Sequence, residues 1–268
     1  FDKIDFSIRA KGIQNRVILV LNPATKEHFI YKRFFEEKGI EAGANQIKQD
    51  TTYIHTTYLD NYKNLNESFI NQIKLMKDNN PNKYNHVILG GWLDKAEGVV
   101  FDNWEFGDFN PDNLQTSFGQ DFGFTVDPTT LVEVAINKNK KIIYVKEYLY
   151  KNRLTTSEIA EINKTHAQRK VIIADSAEPR LIDELKKLGC NVIGTIKGAG
   201  SINVGVELMK DYKIIVENNS SNIAKELNNY VYLDKGSKLY LDDYNHIIDA
   251  IRYNVSYHLS NGGVGEIR

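Results

Sequence analysis

Residues 117–150 read SFGQDFGFTVDPTTLVEVAINKNKKIIYVKEYLY, and this stretch decides the fold. It holds three consecutive strand candidates, SFGQDFGFTV (117–126), TTLVEVAIN (129–137) and KKIIYVKEYLY (140–150). Each alternates apolar with polar positions or is rich in β-branched residues, as half-buried or buried strands are. Asp127-Pro128 and Asn137-Lys138-Asn139 supply the turns between them. Connections this short join antiparallel neighbours.

Towards the C-terminus the pattern begins to alternate. TTSEIAEINKTHAQ (155–168) reads as a helix, with Thr155 or Thr156 as cap and Glu158 in the first turn. KVIIAD (170–175) is a short apolar run of the buried parallel-strand kind. EPRLIDELKKLG (178–189) reads as a helix with Pro179 near its start and Gly189 at its end. CNVIGTI (190–196) then reads as a strand, SINVGVELMKD (201–211) as a helix, YKIIVE (212–217) as a strand and NSSNIAKELNNY (219–230) as a helix. YVYLDKGSKLYL (230–241) suits a hairpin around Lys235-Gly236, and DDYNHIIDAIRYNVSYHL (242–259) a long final helix. Three antiparallel strands followed by alternating helices and strands predict an α/β fold, a mixed sheet with helices on both faces. That order of elements is the ribonuclease H-like architecture, which by itself assigns no function.

Towards the N-terminus the texture differs. RVILVLNP (16–23) reads as one strand ended by Pro23. KEHFIYKRFFEEKG (26–39) and LNESFINQIKLMKDNNP (65–81) read as helices, with TTYIHTTYLDN (51–61) between them as a short strand and loop. These strands are too few for a sheet of their own, so the region reads as the tail of a larger domain. LGGWLDKAEGVVFDNWEFGDFNPDN (89–113) is rich in Gly, Asp and Asn and reads as a linker anchored by Trp92, Phe101 and Trp104. The expected division is 1–97 and 98–268.

Composition narrows the class. Hydrophobic content of 41% and charged content of 26% over 268 residues describe a globular chain able to bury a core. No apolar run reaches the ~18–20 residues of a membrane helix, so no membrane partner is expected. The start, FDKIDFSIRAKG, has no apolar signal region, and it lacks an initiator Met, so a piece of a longer protein is one reading. One cysteine, Cys190, excludes a disulfide framework and a Cys-rich zinc site, and suits a reducing interior. The net charge of −1 argues weakly against a general nucleic-acid binder, although clustered carboxylates would offset basic residues elsewhere.

Three acids stand out by position. Asp121 falls in the first strand candidate between Gly119 and Gly123, which would let a ligand or a backbone approach closely. Asp175 ends KVIIAD, the end of a strand at which open α/β sheets bind ligands. Asp249 lies in the final helix three residues after His246, on one face with it, and Asp243 lies three residues before His246. Each alone has a plainer use: Asp121 as an edge or turn residue, Asp175 as a helix cap, Asp249 and His246 as a solvated face, Asp242 and Asp243 as N-caps. Together, three carboxylates at one end of a sheet would repel one another unless cations intervened. Hard oxygen donors select Mg²⁺ or Mn²⁺, and the imidazole of His246 favours Mn²⁺ somewhat. Two such ions about 3.5–4 Å apart suit phosphodiester cleavage, with Asp121 bridging both and Asp175 and Asp249 each holding one. His246 would then be an auxiliary ligand or proton carrier.

These segments resemble a known family. GQDFGFTVDPT (119–129), VIIADSAEPRLIDEL (171–185), IKGAGSINVGVELMKDYKIIV (196–216) and DDYNHIIDAIRY (242–253) resemble the nuclease part of the large terminase subunit of tailed bacteriophages, the motor that packages and cuts viral DNA. ILVLNPATKEHFIYKRFFE (18–36), IHTTYLDN (54–61) and LGGWLDKAEGVVFDNW (89–104) resemble the end of its ATPase domain and linker. The resemblance implies a metal-dependent endonuclease acting on double-stranded DNA, with metal ligands at Asp121, Asp175, Asp249 and His246. It also implies Lys197 in IKGAGS near the DNA, where a plain surface lysine is the alternative. A small terminase subunit and a portal protein are the implied partners, and the cytoplasm of an infected bacterium the implied setting. The sequence contains no G-x-x-x-x-G-K-[ST] phosphate loop, so ATP hydrolysis by this chain is not expected. Two other readings remain: a DNA-gripping module with little cutting, and a resolvase or transposase of the same architecture.

Overall fold

The computed structural model describes residues 11–12, 15–96, 98–111, 113–196, 198–233 and 239–260. The chain divides into two compact units, Phe1–Asp94 and Lys95–Arg268. The first unit contains a small antiparallel ladder, β1 (Gln46–Lys48) with β2 (Thr51–Tyr53). Before it a helical turn, Phe29–Tyr31, runs into a wider π turn, Lys32–Glu36. After it come a 3₁₀ segment, Tyr58–Asn64, and α1 (Glu67–Asn79), capped by Asn66, whose side chain accepts from the Phe69 amide. Aromatic packing holds the unit: Trp92 meets Tyr31 and Phe35 at 5.1 and 5.6 Å between ring centres, and Phe35 meets Tyr53 at 5.3 Å. Half-buried Trp92 therefore packs within this unit rather than anchoring a linker.

The strand expected at RVILVLNP is not seen among the described residues. Residues 16–23 belong to no described ladder, and Ile18 and Val20 are 82% and 93% exposed. An apolar run becomes a strand only where a neighbour supplies hydrogen bonds, and none does so among the described residues.

The second unit is built on a seven-stranded mixed sheet. Its strands are β3 (Trp104–Gly107), β4 (Thr116–Gln120), β5 (Thr129–Asn137), β6 (Ile142–Lys151), β7 (Ile172–Ala174), β8 (Val192–Gly194) and β9 (Lys213–Glu217). Their order across the sheet is β3-β9-β6-β5-β4-β7-β8. The β4–β5 and β5–β6 pairs are antiparallel, as the short turns require, and the pairs outward of them are parallel. The helices are α2 (Thr156–His166), α3 (Pro179–Lys187), α4 (Ser201–Lys210), α5 (Ser221–Asn229) and α6 (His246–Ser260). Thr155 and Glu158 close a reciprocal capping box at the start of α2.

Two apolar clusters cover the faces of the sheet. Val132 and Val134 of β5 pack in one with Ile247, Ile251 and Val255 of α6 and Ile223 and Leu227 of α5. Leu131 and Phe118 pack in the other with Ile159 of α2 and Leu185 of α3. Cover on both faces explains why β5 is buried along most of its length, its polar Thr129, Thr130 and Glu133 included. No described helix is long and apolar enough to cross a membrane.

Three further sequence expectations change. Trp104–Gly107, read as linker, is an edge strand pairing in parallel with β9. The first strand ends at Gln120, so Asp121 lies one residue beyond it, and residues 121–128 form a connection. Gly123 explains the turn: a β-carbon there would lie 2.3 Å from the Asp127 carbonyl oxygen. The final helix begins at His246, leaving Asp242 and Asp243 ahead of it. At the hairpin, Tyr232 and Tyr240 form an antiparallel bridge, and the tip at Lys235-Gly236 lies outside the described residues.

Candidate metal centre

The sheet brings two of the acids to one edge. β4 and β7 are parallel neighbours with Gln120 opposite Ala174. Asp121 and Asp175 are the next residues on each, so both leave the sheet at the same C-terminal edge. The Asp175 amide donates to the Gln120 carbonyl at 3.3 Å, which continues the pairing one step further. Behind this edge Gln120 and Asn163 of α2 exchange two hydrogen bonds of 2.9 Å in full burial. A satisfied pair of this kind fixes the strand end that carries Asp121.

The final helix delivers the other residues. Its start packs directly on β4, and His246 and Asp249 face the strand ends from one side of the helix. His246 Nδ1 lies 3.4 Å from Asp121 Oδ2, and its Nε2 lies 3.5 Å from Asp127 Oδ1. The hydrogen bond with Asp121 raises the His246 pKa; burial opposes this, and Glu226, Asp121 and Asp127 add to it.

Tyr253, one turn beyond Asp249, joins the carboxylates. Its hydroxyl lies 3.5 Å from Asp121 Oδ1 and 3.4 Å from Asp249 Oδ2. Burial raises the phenol pKa, and the charges of Asp249, Asp121 and Asp175 raise it further, so Tyr253 stays protonated and donates. Asp175 therefore belongs to the same electrostatic cluster. Its Oδ1 also accepts from the Ala177 amide at 2.8 Å, closing the turn before α3 rather than capping the helix. Arg252 takes the other oxygen of Asp249, with Nη2 at 2.9 Å and Nε at 3.1 Å from Oδ1. Burial would lower the Arg252 pKa, yet the Asp249 charge and hydrogen bond hold the guanidinium firmly protonated.

Asp121, Asp175, Asp249 and His246 thus meet at one end of the sheet. Lys197 lies outside the described residues. Asp243 does not join the site: its Oδ1 accepts from the Tyr244 amide, and Asp242 Oδ1 accepts from Asn245 Nδ2. Neither caps the final helix. That role falls to Glu226 of α5, which accepts from the Ile247 and Ile248 amides. Sequence reasoning passed over Asp127, Arg252, Tyr253 and Glu226. Arg252 and Tyr253 had a signal, since i+3 and i+4 from Asp249 place both beside it on the helix.

Hard carboxylate oxygens with one imidazole form a donor set suited to Mg²⁺ or Mn²⁺. The positions are not those of a closed coordination sphere: among the described residues no three His, Cys, Asp or Glu side chains are grouped as ligands of one ion. Asp249 is turned towards Arg252 and Tyr253 instead.

Two family models match the chain, described as a terminase RNase H-like domain over residues 121–257 and a phage terminase large subunit over residues 1–91. The terminase large subunit of Bacillus phage SPP1 is 32% identical over 261 residues, covering 90% of this chain and 58% of that protein. The PBSX phage terminase large subunit of Bacillus subtilis (strain 168) is 26% identical, covering 94% of this chain and 64% of that protein. The chain therefore spans about three-fifths of the length of these relatives. Among solved structures, the nuclease domain of the SPP1 large terminase g2p with bound Mn is 32% identical with a TM-score of 0.50, over 58% of this chain and 96% of that one.

Proposed function

Because this chain belongs to the phage terminase large-subunit family and carries its ribonuclease H-like domain, we propose that it is a divalent-metal-dependent endonuclease cutting double-stranded DNA during genome packaging. One observation carries the reading: Asp121 and Asp175 leave adjacent parallel strands at the edge where α6 presents Asp249 and His246. The similar SPP1 nuclease domain was solved with bound Mn, which supports Mn²⁺ or Mg²⁺ as the cofactor here.

Asp121, Asp175, Asp249 and His246 would hold the ions, two in number. When bound, the ions supply the positive charge that stabilises attacking and leaving oxygens on the phosphorus. The chain supplies orientation. Asp121 holds the His246 ring through Nδ1, and Asp127 faces its Nε2. Arg252 engages one oxygen of Asp249 and leaves Oδ2 directed towards Asp121 across the Tyr253 hydroxyl. If His246 does not ligate, its alternative role is that of proton carrier to a leaving oxygen, which the Asp121 hydrogen bond that raises its pKa favours. No protein nucleophile is required, because water attacks.

The unit Phe1–Asp94 is read as the end of the family's ATPase region. Double-stranded DNA, a small terminase subunit and a portal protein are the proposed partners, and the host cytoplasm the proposed setting. A DNA-gripping role with little cutting has one observation in its favour, the open arrangement of the carboxylates. The family match at residues 1–91 leaves a resolvase or transposase without support.

Plasmid cleavage in Mn²⁺, followed together with DNA binding, tests the reading. Wild-type chain is expected to cut, and Asp121→Asn and Asp175→Asn to abolish cutting while retaining DNA binding. Binding without cutting at any Mn²⁺ concentration would favour the gripping role. Cutting by both variants at the wild-type rate would overturn the metal centre.

A further inference from the structure

Glu226 is fully buried, lies outside the candidate metal centre and belongs to a different helix, α5. A carboxylate is costly to bury, so its partners show what it does. Oε2 accepts from the Ile247 amide at 2.8 Å and the Ile248 amide at 3.1 Å. Oε1 accepts from the Tyr150 hydroxyl of β6 at 3.0 Å. Ile247 and Ile248 are the second and third residues of α6, whose amides have no partner within the helix. The preceding residue, Asn245, directs its side-chain amide to Asp242 instead. Glu226 therefore caps the final helix from outside by geometry; burial pushes its carboxyl up to about 7, against the hydrogen bonds from these amides and Tyr150.

The cap falls between the two helical residues of the site. His246 precedes the capped amides, and Asp249 follows them. Any slip or rotation of this first turn moves both against Asp121, to which His246 is already joined at 3.4 Å. We propose that Glu226, held by Tyr150, is a positioning residue that sets the first turn of α6 and so the placement of His246 and Asp249 for metal binding. This rests on the metal-centre reading above. It predicts that metal affinity depends on a side chain touching neither metal nor DNA, as supporting residues of metal sites commonly require.

The test measures Mn²⁺ affinity by electron paramagnetic resonance on the full chain, alongside KM for plasmid DNA. Glu226→Ala is expected to weaken Mn²⁺ binding by about tenfold or more, with KM for DNA within about twofold of wild type. Glu226→Gln keeps an oxygen for both amides and is expected within about threefold of wild-type Mn²⁺ affinity. A folded Glu226→Ala with wild-type affinity, or Glu226→Gln as weak as Glu226→Ala, overturns the proposal. If Glu226→Ala fails to fold, Tyr150→Phe decides: about threefold weaker Mn²⁺ binding supports it, and unchanged binding overturns it. Wild-type chain that binds no Mn²⁺ overturns the metal centre and this inference together. Wild-type binding with unaffected variants overturns this inference alone.

Discussion

A β-carbon added to Gly119 would lie 1.9 Å from the carbonyl oxygen of Ala250, so β4 and the final helix touch backbone to backbone. The contact is two residues from Asp121 and one from Asp249. Only glycine permits it, and the approach is what lets a helix reach strand ends at hydrogen-bonding distance. Gly119→Ala must push the helix away from the sheet. A loss of about 3 kcal/mol or more in folding stability is expected, at the upper end for overpacking a core. Chemical denaturation measures it. An unchanged midpoint and slope would show that the helix yields freely.

The Arg252–Asp249 pair leads to a metal-linked prediction. The Arg252 side chain is 5% exposed and that of Asp249 19%. Removing one partner of a buried pair costs about 3–5 kcal/mol, because the other charge is left in poor solvation. Arg252→Met should therefore lower the thermal midpoint in the absence of metal. Mn²⁺ offers Asp249 a second source of positive charge, so it should raise the midpoint more in Arg252→Met than in wild type. Equal increments would argue that Asp249 takes no part in metal binding.

The parts of the fold readable from sequence are those whose local pattern and tertiary surroundings agree. β5 and β6 combine β-branched residues with short turns, and both form where expected. Asp175 was legible as the end of a short apolar strand, and the His246–Asp249 spacing placed both on one helix face. Glu226 was not legible. It sits in an amphipathic helix among polar residues, and nothing local distinguishes a buried glutamate from a solvated one until α6 is docked. β3 was missed because an edge strand needs little apolar alternation when β9 supplies its ladder. RVILVLNP misled in the opposite sense, being an apolar run without a described neighbour.

Glu133 supplies a pH prediction away from the metal centre. Burial would raise its carboxyl pKa, but the Lys170 ammonium at 2.7 Å and hydrogen bonds from Thr116 and Tyr148 bring it below the ordinary 4.5. The folded chain then binds fewer protons than the unfolded chain as pH falls through this range. The stabilisation is present above 4.5 and is lost as pH falls through the lower folded value. In Lys170→Met burial is left with less opposition. The contribution of Glu133 should then shrink or reverse, giving a smaller rise in stability between about pH 3 and pH 5 than in wild type. Denaturant titrations across that range measure the difference, and parallel curves would exclude the coupling.

The exposed run at residues 17–21 carries the last prediction. Ile18 and Val20 point outward at 82% and 93% exposure, while Val17, Leu19 and Leu21 are near 40%. An apolar, partly β-branched segment that pairs in no ladder among the described residues is a template for pairing with another copy. Charge on its outward face should oppose that association without touching a packed residue. Ile18→Lys with Val20→Lys is expected to change folding stability by no more than about 0.5 kcal/mol, as surface substitutions do. It should also raise the concentration at which light scattering first reports aggregates, with DNA cutting at the wild-type rate. A large loss of stability instead would mean that these side chains are packed in solution, and that residues 16–23 pair as the strand their apolar run predicts.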